Sequence, residues 1–154
     1  MANITQEVKK VSNVETGGAL IGYLSDNYAV ITHCSGPGPK SKLTRTSVTI
    51  DGNYTTRLCM DISSRSDGRL YYLGDWHTHL GNSLCPSATD ISAMAVLLNE
   101  KVTPWSSLFS LILHKDLTTY RLYQFRLGKK FEELPVVTCK DPITIADLKI
   151  NDLP

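Results

Sequence analysis

The residues with the clearest chemical potential are two histidines and an aspartate near the middle of the chain. His77 and His79 end a segment rich in aromatic residues, and Asp90 follows after a short loop. Alternate side chains of a β-strand point to the same face, so a strand here would project both imidazoles together. Two histidines and one carboxylate leave the fourth position of a tetrahedral zinc ion open, as in catalytic zinc sites. The spacing therefore predicts a catalytic metal site.

Two further residues could complete such a site. Ser87 stands where the N-cap of a helix is expected, which places Asp90 in the first helical turn, facing the imidazoles. The Ser87 hydroxyl can cap the helix and still bind a substrate oxygen. Glu15 immediately precedes a Gly-rich strand entrance. Because hydrolysis at a metal needs a nearby carboxylate to carry the proton to the leaving amine, we predict that Glu15 is the general base.

Each of these features also has an ordinary structural explanation. A His-x-His pair on a strand is more often two satisfied side chains than a metal site. Ser87-x-x-Asp90 has the spacing of a helix capping box, with Asp in place of the usual Glu. Glu15 alone is a surface acid. The joint pattern favours the metal site, because ligands at a strand end and at the adjoining helix start rarely arise together by chance.

The combined pattern resembles that of the JAB/JAMM (MPN-plus) metallopeptidases. Its parts are a Glu before a Gly-rich strand, a His-x-His pair, a spacer of seven residues and Ser-x-x-Asp. Here they stand as Glu15-Thr-Gly-Gly and His77-Thr-His79 followed by Ser87-Ala-Thr-Asp90, within a resemblance that covers residues 10–126. The resemblance implies an α/β fold, a single JAB/MPN (cytidine-deaminase-like) domain with a mixed β-sheet and helices packed on it. It also implies one Zn²⁺ on His77, His79 and Asp90, Glu15 as general acid/base and Ser87 steadying the oxyanion.

Two residues in the loop after the histidines need separate interpretation. The family usually has proline directly after the second histidine, where this chain has Leu80, which affects the expected rigidity of the loop more than metal binding. Cys85 is either a loop thiol without a role or a redox-sensitive thiol that reaches the metal, since a thiolate is a good zinc ligand. We predict that catalysis does not require it.

The other cysteines, Cys34, Cys59 and Cys139, are expected to be small buried residues, because no C-x-x-C pair occurs.

Other segments point to a subfamily. Ser35-Gly-Pro-Gly-Pro39 and residues 72–79 resemble the short prokaryotic JAB proteins, particularly those encoded beside bacterial cGAS-like nucleotidyltransferases in antiphage (CBASS) operons. This implies a deubiquitinase-like isopeptidase that cleaves after the C-terminus of a conjugated protein, with a cGAS-like nucleotidyltransferase as that protein. Two alternatives stay open: a JAB peptidase that processes a ubiquitin-like or sulfur-carrier protein, and a non-catalytic MPN scaffold.

Composition and charge limit the other classes of function. The chain has 154 residues, of which 42% are hydrophobic and 20% charged, as expected for one globular domain. A net charge of +1 offers no basic field for a phosphate backbone, so we expect no nucleic-acid partner. The sequence has neither a long apolar run nor the apolar core of a signal peptide, so we expect no membrane span and a cytoplasmic location.

The elements that must position these residues follow from hydrophobic spacing and turn signals. Helices and strands alternate irregularly, with hairpins as well as crossovers, which favours a mixed sheet with helices packed on it. Asp26-Asn27 is predicted to turn the first hairpin, and the polar stretch up to Ser47 to be a loop. We predict a domain over residues 1–130 and a strand-poor tail of uncertain order over 131–154. The predicted strands are 18–24, 28–33, 48–50, 70–79, 107–114 and 119–126, and the predicted helices are 53–66 and 87–101.

Overall fold

One mixed β-sheet with helices on both faces organises the chain. The structure is a computed structural model that describes residues 2–25, 28–103 and 106–138. The six strands of the main sheet lie in the order β2-β1-β5-β6-β7-β8, and β3 pairs with β4 in a separate hairpin. In chain order the elements are α1 (Ala2–Lys9), β1 (Gly17–Ser25), β2 (Tyr28–Cys34), β3 (Lys42–Leu43), β4 (Val48–Thr49), α2 (Gly52–Arg65), β5 (Tyr71–His79), α3 (Ala88–Asn99), β6 (Ser107–His114), β7 (Tyr120–Arg126) and β8 (Glu132–Leu134).

The predicted mixed sheet with helices packed on it is confirmed. β5 pairs parallel with β6 and antiparallel with β1, so the sheet combines both kinds of ladder. Each predicted strand and helix is present to within two residues at either end. The predicted turn at Asp26-Asn27 and the expected burial of Cys139 lie outside the described residues. None of the described helices has the length and apolar character needed to cross a membrane.

Two short strands were not predicted. β3, at Lys42–Leu43, lies in the stretch expected to be a loop, and it pairs with β4. β8, at Glu132–Leu134, lies past the predicted domain boundary at residue 130 and extends the sheet beside β7. Glu132-Glu133-Leu134 has no alternating hydrophobicity, so its sequence does not indicate a strand. Backbone pairing with β7 holds this edge strand in the sheet, and its two acids form ion pairs with β7 at the surface.

The core is divided between the two faces of the sheet. Ile4 and Val8 of α1 pack on one face, around the fully buried Trp76 of β5. Met94 of α3 packs on the opposite face against β6 and β7, and Leu58 of α2 packs on the end of that face near β1. Side chains alternate along β5, so Asp75 and His77, on either side of Trp76, point to the face that carries α2 and α3.

The approach of β1 to its neighbours leaves no room for side chains at its three glycines, Gly17, Gly18 and Gly22. Gly17 lies opposite His77 and Gly18 opposite Trp76 in the β1–β5 ladder. A Cβ at Gly17 would lie 2.5 Å from the Trp76 carbonyl oxygen, and one at Gly18 would lie 2.0 Å from that of Ser35. Ser35 is fixed there, since its hydroxyl accepts a 2.8 Å hydrogen bond from the Ala19 N–H. The strand entrance beside His77 therefore depends on glycine.

Replacing Gly18 should destabilise the protein more than replacing a glycine in open space. Gly18→Ala forces a methyl group into the Ser35 backbone, so we expect the free energy of unfolding to fall by about 1–3 kcal/mol. Gly52→Ala is the matched control, because no atom lies within 4 Å of a Cβ added there. That variant should be neutral or slightly more stable. Urea unfolding measures both, and equal effects would show that the close approach does not constrain β1.

Candidate metal centre

Three predicted ligands converge where β5 ends and α3 begins. His77 and His79 point from the same face of β5, and Asp90 reaches them from the first turn of α3. The two Nε2 atoms lie 3.1 Å apart. Asp90 Oδ1 lies 3.4 Å from His77 Nε2, and Asp90 Oδ2 lies 3.7 Å from His79 Nε2. The strand and the helix thus bring two imidazoles and a carboxylate to one point, as the sequence predicted.

The spacing of these ligand atoms suits a small tetrahedral metal ion. An ion with nitrogen and oxygen ligands at roughly 2.0–2.1 Å holds neighbouring ligand atoms about 3.3 Å apart. The 3.1 Å between the two Nε2 atoms and the 3.4 Å from His77 Nε2 to Asp90 Oδ1 are close to that value, and the second carboxylate oxygen, Oδ2, lies 3.7 Å from His79 Nε2. The group consists of two imidazoles and one carboxylate, a donor set that leaves a coordination position for water or substrate. The residues present therefore fit a divalent metal with an open position.

Asp90 is held by the helix that carries it. The Ser87 hydroxyl accepts a hydrogen bond from the Asp90 N–H at 3.2 Å, and the Ser87 N–H donates to Asp90 Oδ2 at 2.6 Å. The capping box at Ser87-x-x-Asp90 is thus confirmed, and Asp90 still presents Oδ1 to His77. Capping and ligation are compatible here because the carboxylate uses different oxygen atoms. The Ser87 hydroxyl, acting as acceptor towards Asp90, keeps its own proton available for donation.

Hydrogen bonds and charge orient the side chains of His79 and Asp90. The Ser83 carbonyl oxygen lies 2.8 Å from His79 Nδ1 and can only accept, so Nδ1 carries the proton and the Nε2 lone pair faces the other ligands. The Asp90 carboxylate, whose Oδ2 is 3.7 Å from Nε2, favours the protonated ring and is the main cause that raises the pKa of His79. Burial acts to raise the pKa of Asp90, but the two histidines beside it hold that pKa below its usual value. The aspartate is therefore an anion at neutral pH.

Glu15 lies beside the ligands without being one of them. It is 7% exposed, its N–H donates to the Thr44 carbonyl at 2.7 Å, and its Oε1 accepts from the Leu80 N–H at 3.4 Å. The next residue, Thr16, makes three hydrogen bonds with Thr78, which lies between the two histidines. The Thr78 N–H and hydroxyl donate to the Thr16 carbonyl, and the Thr16 N–H donates to Thr78 Oγ1. Burial raises the pKa of Glu15, and the charge of the nearby His79 partly offsets this increase.

One cavity of about 240 Å³ joins the ligands, Glu15 and Ser87. Residues Thr89 and Ala93 of α3 line one side of it. The β3–β4 hairpin lines another side, through residues Arg45, Thr46, Ser47, Val48 and Ile50. All five residues assigned to the site from the sequence thus share a single cavity.

Asp75 is a residue of this cavity that the sequence analysis missed. It lies two residues before His77 on the same face of β5, and its Oδ1 is 3.9 Å from His77 Nδ1. Ser110 Oγ on β6 donates to the same oxygen at 2.9 Å. Burial raises the pKa of Asp75 to about 6, with His77 acting in the opposite direction. The period of two along β5 was the available signal, since it places Asp75, His77 and His79 in one row.

Cys85 does not join the ligand group. Among the described residues, the atoms that could hold a metal together belong to His77, His79 and Asp90. Cys85 is exposed in its loop, and its electrostatic neighbours are Arg121 and Tyr123 on β7. The geometry therefore agrees with the interpretation of Cys85 as a loop thiol and gives no support to a thiolate ligand.

Three named proteins resemble this chain. It is 37% identical over 82 residues to a CD-NTase/cGAS isopeptidase of Escherichia coli (strain TW11681), covering 53% of this chain and 53% of that protein. It is 32% identical over 123 residues to a CD-NTase/cGAS isopeptidase of Vibrio cholerae serotype O1, covering 80% and 72%. It is 35% identical over 96 residues to the probable metalloprotease y4qB of Sinorhizobium fredii, covering 60% and 58%. The match thus spans about half the length of the E. coli relative.

The fold also has a solved counterpart. The solution structure of protein DSY2949 from Desulfitobacterium hafniense aligns with a TM-score of 0.65, over 91% of this chain and 90% of that one. At 14% identity this likeness concerns the fold alone. Residues 1–126 match the family described as prokaryotic homologs of the JAB domain, a region that includes all five site residues predicted from the sequence. The chain belongs to this family of prokaryotic JAB-domain homologues.

Proposed function

We propose that the protein is a zinc-dependent isopeptidase that cleaves after the C-terminus of a conjugated protein in the cytoplasm. The observation that carries this proposal is the meeting of His77, His79 and Asp90 with a separate buried carboxylate, Glu15, in one cavity. Zinc, when bound, lowers the pKa of water at its open position towards ~7 and polarises the scissile carbonyl. The names of the relatives, isopeptidase and metalloprotease, support a hydrolytic role.

Glu15 has the position required of a general acid/base. Its carboxylate faces the cavity but is not part of the ligand group, so it remains available for proton transfer. Its backbone is tied to Thr44 and its side chain to the Leu80 N–H, which limits its motion. A carboxylate so placed can take the proton of the attacking water and give it to the leaving amine.

Ser87 has the position required to stabilise negative charge on the substrate. It lines the cavity at the start of α3, next to the ligand Asp90. Its oxygen accepts the capping bond from the Asp90 N–H, which leaves the hydroxyl proton to donate to a developing oxyanion. Ser87 can therefore cap the helix with its hydroxyl oxygen and donate its hydroxyl proton to the substrate at the same time.

The walls of the cavity suit an extended polypeptide tail. The β3–β4 hairpin supplies backbone polar groups at one side, and an extended C-terminal segment can add to such an edge as a further strand. A folded protein beyond the tail would then contact the surface around the cavity. Because two relatives are named CD-NTase/cGAS isopeptidase, we propose a cGAS-like nucleotidyltransferase as the conjugated protein. We assign no role to nucleic acid or membrane.

A ubiquitin-like or sulfur-carrier protein is the second candidate substrate. One relative is named only as a probable metalloprotease, which suits a JAB peptidase that processes a ubiquitin-like or sulfur-carrier protein with the same catalytic residues. A non-catalytic scaffold is the less favoured reading, because the ligand set and the acid/base carboxylate are all present.

The purified protein should contain one zinc ion per chain. Elemental analysis of protein prepared without added metal gives the content directly. His77→Ala and Asp90→Asn should each lose the ion or bind it weakly, because each removes one of three protein ligands. His33→Ala is the matched control, since His33 lies on β2 outside the ligand group. Wild-type protein without zinc, and without gain of activity on its addition, would contradict the site assignment.

Glu15→Ala should separate metal binding from turnover. We expect zinc content to stay as in the wild type and the rate to fall by roughly 10²–10⁴-fold, the usual contribution of general acid–base catalysis. Ser87→Ala should also slow turnover with zinc retained, and should cost ~1 kcal/mol of stability through loss of the cap. Loss of zinc in Glu15→Ala would identify Glu15 as a ligand. An unchanged rate would show that another group is the base.

Fusion substrates test the bond and the partner together. A cGAS-like nucleotidyltransferase whose C-terminus is joined to a reporter protein should be cleaved at the junction, and a chelator or Glu15→Ala should prevent cleavage. Mass spectrometry of the products locates the cut. If this fusion survives while a ubiquitin-like or sulfur-carrier fusion is cut, the peptidase function holds and the nucleotidyltransferase is not the substrate. If short unstructured peptides are cut equally well, recognition does not depend on a folded protein.

A further inference from the structure

Asp75 is an acidic residue of the cavity to which the proposed function assigns no role. Its side chain is 19% exposed, and it occupies a central strand of the sheet, where aspartate is unfavourable. Its hydrogen bond from Ser110 satisfies an oxygen but does not neutralise a negative charge. A partly buried carboxylate in such a place costs stability unless a positive or polarised group compensates it. The group on its own strand face that can do so is His77.

The geometry of His77 gives its two ring nitrogens different tasks. Nε2 faces the other ligands, 3.1 Å from His79 Nε2 and 3.4 Å from Asp90 Oδ1. Nδ1 lies across the ring from Nε2 and faces Asp75 Oδ1 at 3.9 Å. Asp75 is therefore on the far side of the imidazole from the metal position and cannot be a ligand. It can act only through His77.

The second histidine shows what such a partner does. His79 Nδ1 lies 2.8 Å from the Ser83 carbonyl oxygen, which fixes its proton on Nδ1 and its lone pair on Nε2. To bind a metal through Nε2, His77 needs the same tautomer, with its proton on Nδ1. Ligating histidines commonly donate their second N–H to a carboxylate or carbonyl, and these partners tune metal affinity.

We propose that Asp75 is a positioning residue of the metal centre, whose carboxylate accepts the Nδ1–H of His77 when Nε2 of the same ring binds the metal. The inference rests on the proposed metal site. Ser110, paired with Asp75 in register on β6 and itself fully buried, holds the carboxylate in place through its hydroxyl. The 3.9 Å separation closes to a hydrogen bond with a shift of about 1 Å in either side chain.

Zinc affinity and the resonance of the His77 Nδ1–H test this role. Asp75→Ala should weaken zinc binding roughly 10–100-fold in competition with a chelator, the usual cost of losing such a partner. Asp75→Asn should lose less, because its amide oxygen still accepts the Nδ1–H, and its similar shape preserves the fold. Asp61→Asn removes the same charge from the exposed face of α2 and should bind zinc as the wild type does. Thermal unfolding of the zinc-free variants shows whether each is folded.

A second measurement uses the zinc-loaded protein, in which Nε2 of His77 is a ligand and the ring proton is on Nδ1. Proton–nitrogen correlation spectra should show this Nδ1–H as a downfield resonance that exchanges slowly with water in the wild type. In Asp75→Ala it should move upfield and exchange faster, while the Nδ1–H of His79, which donates to the Ser83 carbonyl, stays unchanged. If both Asp75 variants bind zinc as tightly as the wild type and leave the His77 resonance unchanged, Asp75 has no positioning role. If the wild type itself binds no zinc, the proposed function fails, and this role fails with it.

Discussion

The pairing of β1 with β5 is the contact on which the candidate site depends. β5 carries both histidines, and Glu15 stands two residues before β1, so the ladder between these strands sets the distance from Glu15 to the histidines. Gly17 opposite His77 permits the close approach, and the Thr16–Thr78 bonds extend the pairing beyond the regular strand. Because these are backbone contacts in the middle of a six-stranded sheet, the relation between Glu15 and the histidines does not depend on a loop.

The third proposed ligand, Asp90, is held in place by helix capping. Asp90 belongs to a helix and not to the sheet, and its position follows from the capping box with Ser87. A carboxylate in the first turn is stabilised by the helix dipole and by the Ser87 N–H, which favours the anion even without a metal. The imidazoles opposite it supply further stabilisation. The start of α3 therefore prepares an anionic ligand at low cost, and the short loop before it brings that anion to the strand end.

Local sequence signals were sufficient for most of the fold and not for its long-range details. Hydrophobic spacing located the β6–β7 hairpin and both longer helices, because each pattern is contained within its own segment. β8 escaped prediction since its sequence, Glu132-Glu133-Leu134, has no strand pattern and forms by pairing with a strand already in place. Asp75 was missed although the period of two along β5 places it in line with His77. Its partner Ser110 lies on another strand, and nothing in the sequence shows that the two strands run parallel in that register.

Leu80 shows how one substitution changes the way the site is held together. The related peptidases usually have proline at this position, and proline has no N–H to donate. In this chain the Leu80 N–H bonds to Glu15 Oε1, directly after the ligand His79, whose carbonyl accepts a hydrogen bond from the Lys115 N–H. Glu15, the proposed base, is thus tied to the residue that follows the proposed ligand His79. A displacement at the end of β5 would move His79 and the hydrogen-bond partner of Glu15 together, so a more mobile loop would not by itself separate the two side chains.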